Sequence, residues 1–499
     1  MQPASDTPEP VQLRPGAHLF LDDHLIARSE GLARITHQPE KLPEPVLRRA
    51  EPWHLQPQWF LHVTRDTPSG LFRTWYNVKN PGGRPFICYA YAESEDGVSW
   101  RRPDLGLVEV DGSTRNNLID APRGHFGLFF VNEGPGCPVP ERRYKLGYYG
   151  EGLCVAFSTD GFHFTAYAGN PVIPAHPEGL KWGDPGYVNT IGDIIDGCWD
   201  PLRREYLMGC KIEVSGFPGK PHHHAEGWRR CVGVAASPDF LAWPRPSLTL
   251  TPDPASGMGR SAAANGRPLR RPLGRLQAPP MEEFYGLKPM VRGDLYIGFL
   301  RVLRDDLPAD PGGPVEGIGW TELMSSRDGR RWTRYPEPFI DRDTRPGTWD
   351  HAMAWFADCV TVGDREYVYY GGYSAGHKVG HREVGLAFLR RNGFVSRDAG
   401  PRPGLLCTPV VRLEGGALAV NAAVRGEVRL RLTMPDGAPL PGFDWDDAPP
   451  LCGDAVAQAV RWRGATAGLP SCPLRLEFRV CRAALYGFEV VGAATAEGR

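Results

Sequence analysis

Ser94-Glu95-Asp96-Gly97-Val98-Ser99-Trp100 decides how this chain is read, because it returns. Ser158-Thr159-Asp160-Gly161-Phe162-His163-Phe164 has the same form, with Phe in place of Trp. Ser237-Pro238-Asp239-Phe240-Leu241-Ala242-Trp243 keeps the form without its glycine, and Ser326-Arg327-Asp328-Gly329-Arg330-Arg331-Trp332 restores it. Asp-Gly is a strong turn signal: the Asp side chain bonds its own backbone, and Gly takes positive φ without steric cost. The terminal aromatic opens the next strand and offers a large surface to bury. Four copies at intervals of roughly 60 to 90 residues imply a repeated unit.

Each turn is flanked by strand-like runs. Around the first stand Gln58-Trp59-Phe60-Leu61-His62-Val63, Leu71 to Tyr76 and Ile87 to Glu93, with Trp100 opening a fourth strand. The order repeats at 125–131, 144–149, 153–157 and Phe164, at 193–199, 205–210, 231–235 and Trp243, and at 284–287, 294–300, 319–324 and Trp332. A fifth set, 352–355, 367–372 and 384–389, lacks the turn and is one strand short. Five such sets predict an all-β fold, a five-bladed β-propeller followed by a β-sandwich. A strand from the N-terminal segment 18–26 is expected to close the ring, since open sheet edges need a partner. Residues 1–17 read as a polar, Pro-rich arm, 18–395 as the ring, and 396–499 as the sandwich, where runs such as Leu474 to Val480 alternate as half-buried antiparallel strands do.

Composition fits this reading. Sixty Gly and 50 Pro among 499 residues make the chain rich in turns, and 41% hydrophobic content supplies a core. Lys+Arg 57 against Asp+Glu 58 leaves a net charge of −1, which offers no general attraction for nucleic acid or anionic membranes. No apolar run approaches membrane-spanning length. The start, Met1-Gln2-Pro3-Ala4-Ser5-Asp6, shows no secretory signal, and 11 scattered Cys without Cys-x-x-Cys spacing read as reduced core residues, so a cytoplasmic location is expected. The insertions 215–228, with His222-His223-His224, and 252–280 read as solvated loops.

Chemistry is expected where first strands enter the ring mouth. Those positions hold Asp193 and Asp196, then Glu282, Glu283, Tyr285 and Lys288, then Trp349-Asp350-His351, with His54 and His125 on the first two units. Carboxylates converging from different sheets suit glycosidic bond cleavage, which needs one protonated carboxyl and one ionised carboxylate. Asp193 and Asp350 are the expected base or nucleophile and pKa control. Neighbouring strand residues face opposite ways, so only one of Glu282 and Glu283 points inward; Glu283 is taken as the acid, with Glu282 as the alternative. His351, Tyr285, Lys288, Arg301, Trp349, His54 and Asp196 are the expected substrate contacts. No cofactor is expected, apart from room for a structural cation on the ring axis.

The Ser-x-Asp-Gly-x-x-Trp turns, Pro103-Asp104-Leu105-Gly106-Leu107-Val108-Glu109 before Asn116-Asn117, and Trp349-Asp350 before Tyr369-Tyr370-Gly371-Gly372 resemble the five-bladed propeller glycosidase superfamily, which holds glycoside hydrolase families 32, 43, 62, 68 and 117. The resemblance covers about 18–395 and implies a three-carboxylate site. Gly393-Phe394-Val395-Ser396 and Ala399-Gly400 resemble the start of the sandwich often joined to such propellers. The Trp-Met-Asn-Asp-Pro, Arg-Asp-Pro and Glu-Cys motifs of family 32 have no counterpart here. The expected function is hydrolysis of a glycosidic bond in a carbohydrate substrate. The rival is a propeller that binds carbohydrate without cleaving it.

Overall fold

The computed structural model describes residues 9–49, 56–66, 68–79, 87–124, 127–178, 189–217, 219–222, 224–252, 281–463 and 468–492. Among these there is no α-helix, only one short 3-10 turn at Pro140–Arg142. No helix is long and apolar enough to cross a membrane.

Five antiparallel sheets follow one another. The first is Gln56–Arg65, Phe72–Lys79 and Ile87–Ser94. The second is Phe129–Asn132, Tyr144–Tyr149, Gly152–Ser158 and Thr165–Ala166. The third is Ile195–Asp200, Glu205–Ser215, Trp228–Ser237 and Ser247–Leu250. The fourth is Glu282–Arg292, Leu295–Arg304, Ile318–Ser326 and Thr333–Ile340. The fifth is Met353–Val362, Arg365–Tyr373 and Arg382–Arg390, linked to the fourth by a single parallel bridge between Gly319 and Met353. In the first sheet the fourth position, expected at Trp100, is filled by isolated bridges of Arg101 to Glu93 and Leu118 to Ala90.

First strands pack on one another in turn: Phe129–Asn132 on Ile195–Asp200, Ile195–Asp200 on Glu282–Arg292, Glu282–Arg292 on Met353–Val362 and Met353–Val362 on Gln56–Arg65. Between the first and second sheets the His62 and Phe130 rings meet (5.4 Å between centroids), so the sheets follow one another around a ring. The repeated turns hold the ring together. In each copy the Ser hydroxyl bonds the Asp carboxylate, whose Oδ1 accepts two backbone N–H groups, as at Val98 and Ser99 (2.8 and 2.7 Å). Gly97, Gly161 and Gly329 have φ of 74°, 84° and 69°, and Phe240 adopts 69° at the position that lost its glycine. Each turn then packs on the preceding sheet. The Gly161 carbonyl accepts from Trp75 Nε1 (2.9 Å), the Gly97 carbonyl from the Tyr369 hydroxyl (2.8 Å), and Gly329 lies against Leu207.

The ring-closing strand differs from the expectation. Glu40–Lys41, not 18–26, completes the fifth sheet against Arg382–Arg390. Gly16–Leu19 pairs instead with Gly487 to Val490 of the C-terminal sheet, and Val11–Leu13 runs parallel to Val411–Leu413. The physical reason is burial: His18, Leu19, Phe20 and Leu21 pack into C-terminal and ring-base cores that a strand on the outer edge would leave exposed. Two long strands, Ala417–Thr433 and Arg475–Val491, pair along their whole length in that C-terminal sheet. Each reads from sequence as two separate strands, because a register shift and Arg482 in the left-handed region interrupt the alternation.

Candidate functional site

Bulges on the innermost strands create the site. In Glu282–Arg292 the register steps from Phe284 to Gly286, so Tyr285 is the extra residue and its side chain is re-aimed. In Gln56–Arg65 the register skips Gln58, Trp59 and Phe60, and in Met353–Val362 it skips Ala357. Two of the displaced aromatics, Tyr285 and Trp59, meet on Trp355. Tyr285 stacks on Trp355 (4.6 Å between centroids, 22°), Trp59 stands edge-on to Trp355 (5.5 Å), and Tyr373 packs on Trp355 from the fifth sheet. Tyr285 alone of these four is more than marginally exposed.

Beneath this layer the axis is filled by ions. Asp196 receives the Lys288 ammonium (2.6 Å) and the Arg301 guanidinium (2.7 Å), and Arg301 also lies 4.1 Å from the Trp59 ring centroid. Asp358 lies 3.0 Å from His62 Nδ1 and accepts the Val63 N–H. Burial alone would raise the Asp358 carboxyl, but Lys288 and His62 hold it down at about 2. Asp196, Lys288 and Arg301 are thus buried and spend their charges on one another. Among the described residues no cluster of His, Cys, Asp and Glu is arranged to hold a metal ion.

Around Tyr285 stands a ring of charged side chains. Asp193, immediately before the first strand of the third sheet, ion-pairs with Lys211 (2.5 Å) and keeps 31% of its side chain exposed. Lys211 also reaches Glu213 (3.3 Å), and Glu213 lies 3.5 Å from His224 Nε2. Burial favours a proton on Glu213, yet Lys211, His224 and Arg230 outweigh it and hold the carboxyl far below the usual range. Burial also opposes charge on Lys211, and Asp193 and Glu213 reverse that effect.

Glu283 is fully buried. Its Oε2 accepts from Arg230 Nη1 (2.5 Å) and its Oε1 from the Arg230 backbone N–H (3.0 Å). Burial pushes its proton affinity up, Arg230 opposes this, and nearby Asp305 adds to it. Glu282 faces the other way, bridged by Arg334 to Glu322 within its own sheet. Asp305 lies 3.8 Å from Arg230 and 3.7 Å from His377 Nδ1. His377 stands edge-on to Tyr285 (4.8 Å, 85°) and is held neutral, its pKa lowered to about 3 by burial and by the nearby Arg230 and Lys378.

The structure therefore brings Asp193, Glu283 and Tyr285 to one mouth. Asp350 goes elsewhere. It is buried against Lys41 (2.6 Å) and the Tyr370 hydroxyl (3.4 Å), and shares no ion-pair partner with Asp193 or Glu283 among the described residues. Trp349 donates to the Pro43 carbonyl and packs on Tyr370. His351 lies between the Asp343 carbonyl (3.0 Å) and Asp310 (2.9 Å). His54 and His125 lie outside the described residues, as do most of the 252–280 insertion and His223. Of the described histidines of the 215–228 insertion, His224 reaches the site through Glu213.

Lys211, Glu213, Arg230, Asp305 and His377 lie away from the starts of first strands. A signal for two of them was present: Lys211 and Glu213 interrupt the apolar run Met208-Gly209-Cys210-Lys211-Ile212-Glu213-Val214, where a buried charge demands a partner.

No protein-family model and no curated protein matches the chain. Solved structures do. A Bombyx mori β-fructofuranosidase of glycoside hydrolase family 32 aligns with a TM-score of 0.42 and 10% identity, over 90% of this chain and 94% of its own. A glycosyl hydrolase from Bacteroides ovatus aligns at 0.40 and 14%, over 70% and 94%. An N-acetylgalactosamine deacetylase from F. plautii, solved with blood group B trisaccharide, aligns at 0.39 and 15%, over 73% and 97%. At these values the likeness adds nothing to the reading of the site, which rests on the residues themselves.

Proposed function

We propose that the chain is a carbohydrate-active enzyme that cleaves a glycosidic bond at the mouth around Tyr285, with the five sheets acting as a five-bladed propeller and the C-terminal sheet as an accessory sandwich. One observation carries this reading: Tyr285, thrown out of its strand by a bulge, has over its ring both Lys211 (5.6 Å), which pairs with the accessible carboxylate Asp193, and Arg230 (5.5 Å), which pairs with Glu283, a carboxyl whose proton affinity burial raises. An aromatic face for a sugar ring and two carboxyl groups in unlike surroundings are the parts this hydrolysis needs.

In this reading Asp193, oriented by Lys211, attacks the anomeric carbon or takes a proton from the attacking water. Glu283 gives its proton to the leaving oxygen. Arg230 holds both Glu283 oxygens, so it must release one as substrate enters. Asp350 anchors Lys41 and the strand that completes the fifth sheet, and takes no chemical part.

The enclosure of Glu283 favours a second reading, a site that binds carbohydrate without cleaving it. A panel of aryl glycosides, assayed beside oligosaccharide binding, separates the two. Turnover that disappears in Asp193→Asn and Glu283→Gln, with binding retained, supports the enzyme. Binding without turnover of any panel member supports the rival, and turnover unchanged in both variants sinks the site assignment.

A further inference from the structure

The loop between the second and third strands of the fifth sheet, residues 374–381, lies across the mouth. The His377 N–H donates to the Glu316 carbonyl (2.6 Å), the His381 N–H bonds the Ser374 hydroxyl (3.0 Å), and the His377 ring rests on Tyr285 and Trp355. The loop is thus seated on the fourth sheet and on the aromatic layer together. It sets two cations at the mouth. Lys378 is exposed and has no carboxylate within ion-pair distance among the described residues. Arg382, half-buried, spends its guanidinium on neutral acceptors, the Gln58 side-chain oxygen (2.6 Å) and the His377 carbonyl (3.0 Å), with its plane over the Tyr373 ring (4.8 Å).

The other charges of the mouth are matched. Lys211 faces Asp193 and Glu213, and Arg230 faces Glu283 and Asp305. Partial burial is the main influence against charge on Lys378, and Arg230 and Lys211 add to it, while Asp305 and Asp193 favour the charge but are already engaged. A cation held close to other cations, beside a guanidinium whose partners are neutral, leaves positive charge uncompensated on one side of an aromatic platform. A neutral sugar has nothing to offer it. A carboxylate or sulfate does, through charge-assisted hydrogen bonds.

We propose that Lys378 and Arg382 form an oxyanion subsite, so that the sugar bound on Tyr285 carries an acidic substituent. The placement of the sugar rests on the function proposed above, whereas the anion site rests on the two cations. Loop 374–381 then couples specificity to access, because the residue that recognises the acid and the His377 that covers Tyr285 are adjacent.

The test uses the full chain and isothermal titration with three matched pairs: galacturonic acid and galactose, glucuronic acid and glucose, mannuronic acid and mannose, with inorganic sulfate as a fourth probe. The wild type is expected to prefer the acid in at least one pair by about tenfold, the scale of one charge-assisted hydrogen bond. That preference should fall to about twofold or less in Lys378→Met and in Arg382→Gln, and return in Lys378→Arg. Because Lys378 is exposed, its replacement does not threaten folding. Equal affinity within every pair overturns the subsite and leaves the carbohydrate reading standing. A preference that survives both variants overturns the assignment to these residues. Sulfate binding that depends on Lys378, without binding of any sugar, supports the anion site and removes the carbohydrate reading. Failure of all four probes overturns the subsite.

Discussion

The Tyr369 hydroxyl donates to the Gly97 carbonyl across 272 residues of chain (2.8 Å), tying the last sheet of the ring to the turn of the first. Trp75 and Gly161 make the same kind of link between the first and second sheets. The first two turns are therefore clasps: the Asp organises the loop and the Gly presents a carbonyl to the neighbouring sheet, whereas the Gly329 carbonyl accepts from Trp332 of its own turn (3.0 Å). Tyr369→Phe leaves that buried carbonyl without its donor and is expected to cost about 1–2 kcal/mol of stability, read as a lower urea midpoint with an unchanged slope.

Gly161→Ala should cost at least as much for a different reason. Its φ of 84° disfavours any Cβ, and the added atom would meet Tyr144 and Trp75 at 3.1 and 3.2 Å. Roughly 1–2 kcal/mol is expected from the backbone alone. Phe240→Gly is the informative contrast: it relieves a left-handed backbone but removes a fully buried ring that packs on Phe129 and Tyr206. Loss of the ring, worth about 3 kcal/mol or more, should win, and the variant should melt earlier than wild type.

Asp196 sets the strength of the ring axis. Asp196→Asn leaves Lys288 and Arg301 buried with one carboxylate fewer, and a drop of about 3–5 kcal/mol is expected. Adding Lys288→Met should recover part of that loss, because it removes one of the stranded charges. Chemical denaturation of the single and double variants checks both statements, and no recovery would mean that Lys288 is not the charge left stranded.

Acid sensitivity should arise in two steps. His377 is neutral in the fold down to about pH 3, against an ordinary value of 6.5. The unfolded chain therefore binds more protons, and the stability His377 contributes declines as pH falls from 6.5 towards 3. Asp358, held at about 2 against 3.8, contributes stability that is present above 3.8 and lost as pH falls through 2. Urea midpoints between pH 7 and pH 4 should thus fall less steeply in His377→Gln than in the wild type. An equal slope in the two would show that His377 is not the group responsible.

Asp193→Asn is expected to lower turnover on any aryl glycoside the protein accepts by about 10²–10⁴-fold. Lys211→Met should lower it too, because Asp193 loses the ammonium that holds its carboxylate in place (2.5 Å). Steady-state kcat and KM of both variants are the measurement.

Much of the ring is legible without coordinates. The four turns mark the sheets because local chemistry dictates them: Asp caps backbone N–H groups, Gly takes positive φ, and an aromatic follows. The strands extend by a few residues beyond their predicted limits, as at Glu205–Ser215, where Lys211 and Glu213 look like an end to the apolar pattern. Among the candidate residues, Asp193 and Asp350 each precede the first strand of their sheet, by two and three residues, yet Asp193 faces Lys211 and Asp350 faces Lys41 and Tyr370, so position along the chain does not decide which way such a residue turns.

Local pattern by itself determined that this chain is all-β, repetitive and built on five strand sets, since turn chemistry and side-chain alternation act over a few residues. Only the tertiary structure decided which segment closes the ring, which aromatic leaves its strand at a bulge, and which charges find partners. Those outcomes depend on contacts between residues that lie tens to hundreds of positions apart, such as Lys41 with Asp350, Arg230 with Glu283, and Tyr369 with Gly97. A buried charge takes whatever counter-ion the fold brings within a few ångströms, and one-dimensional spacing carries no record of that distance.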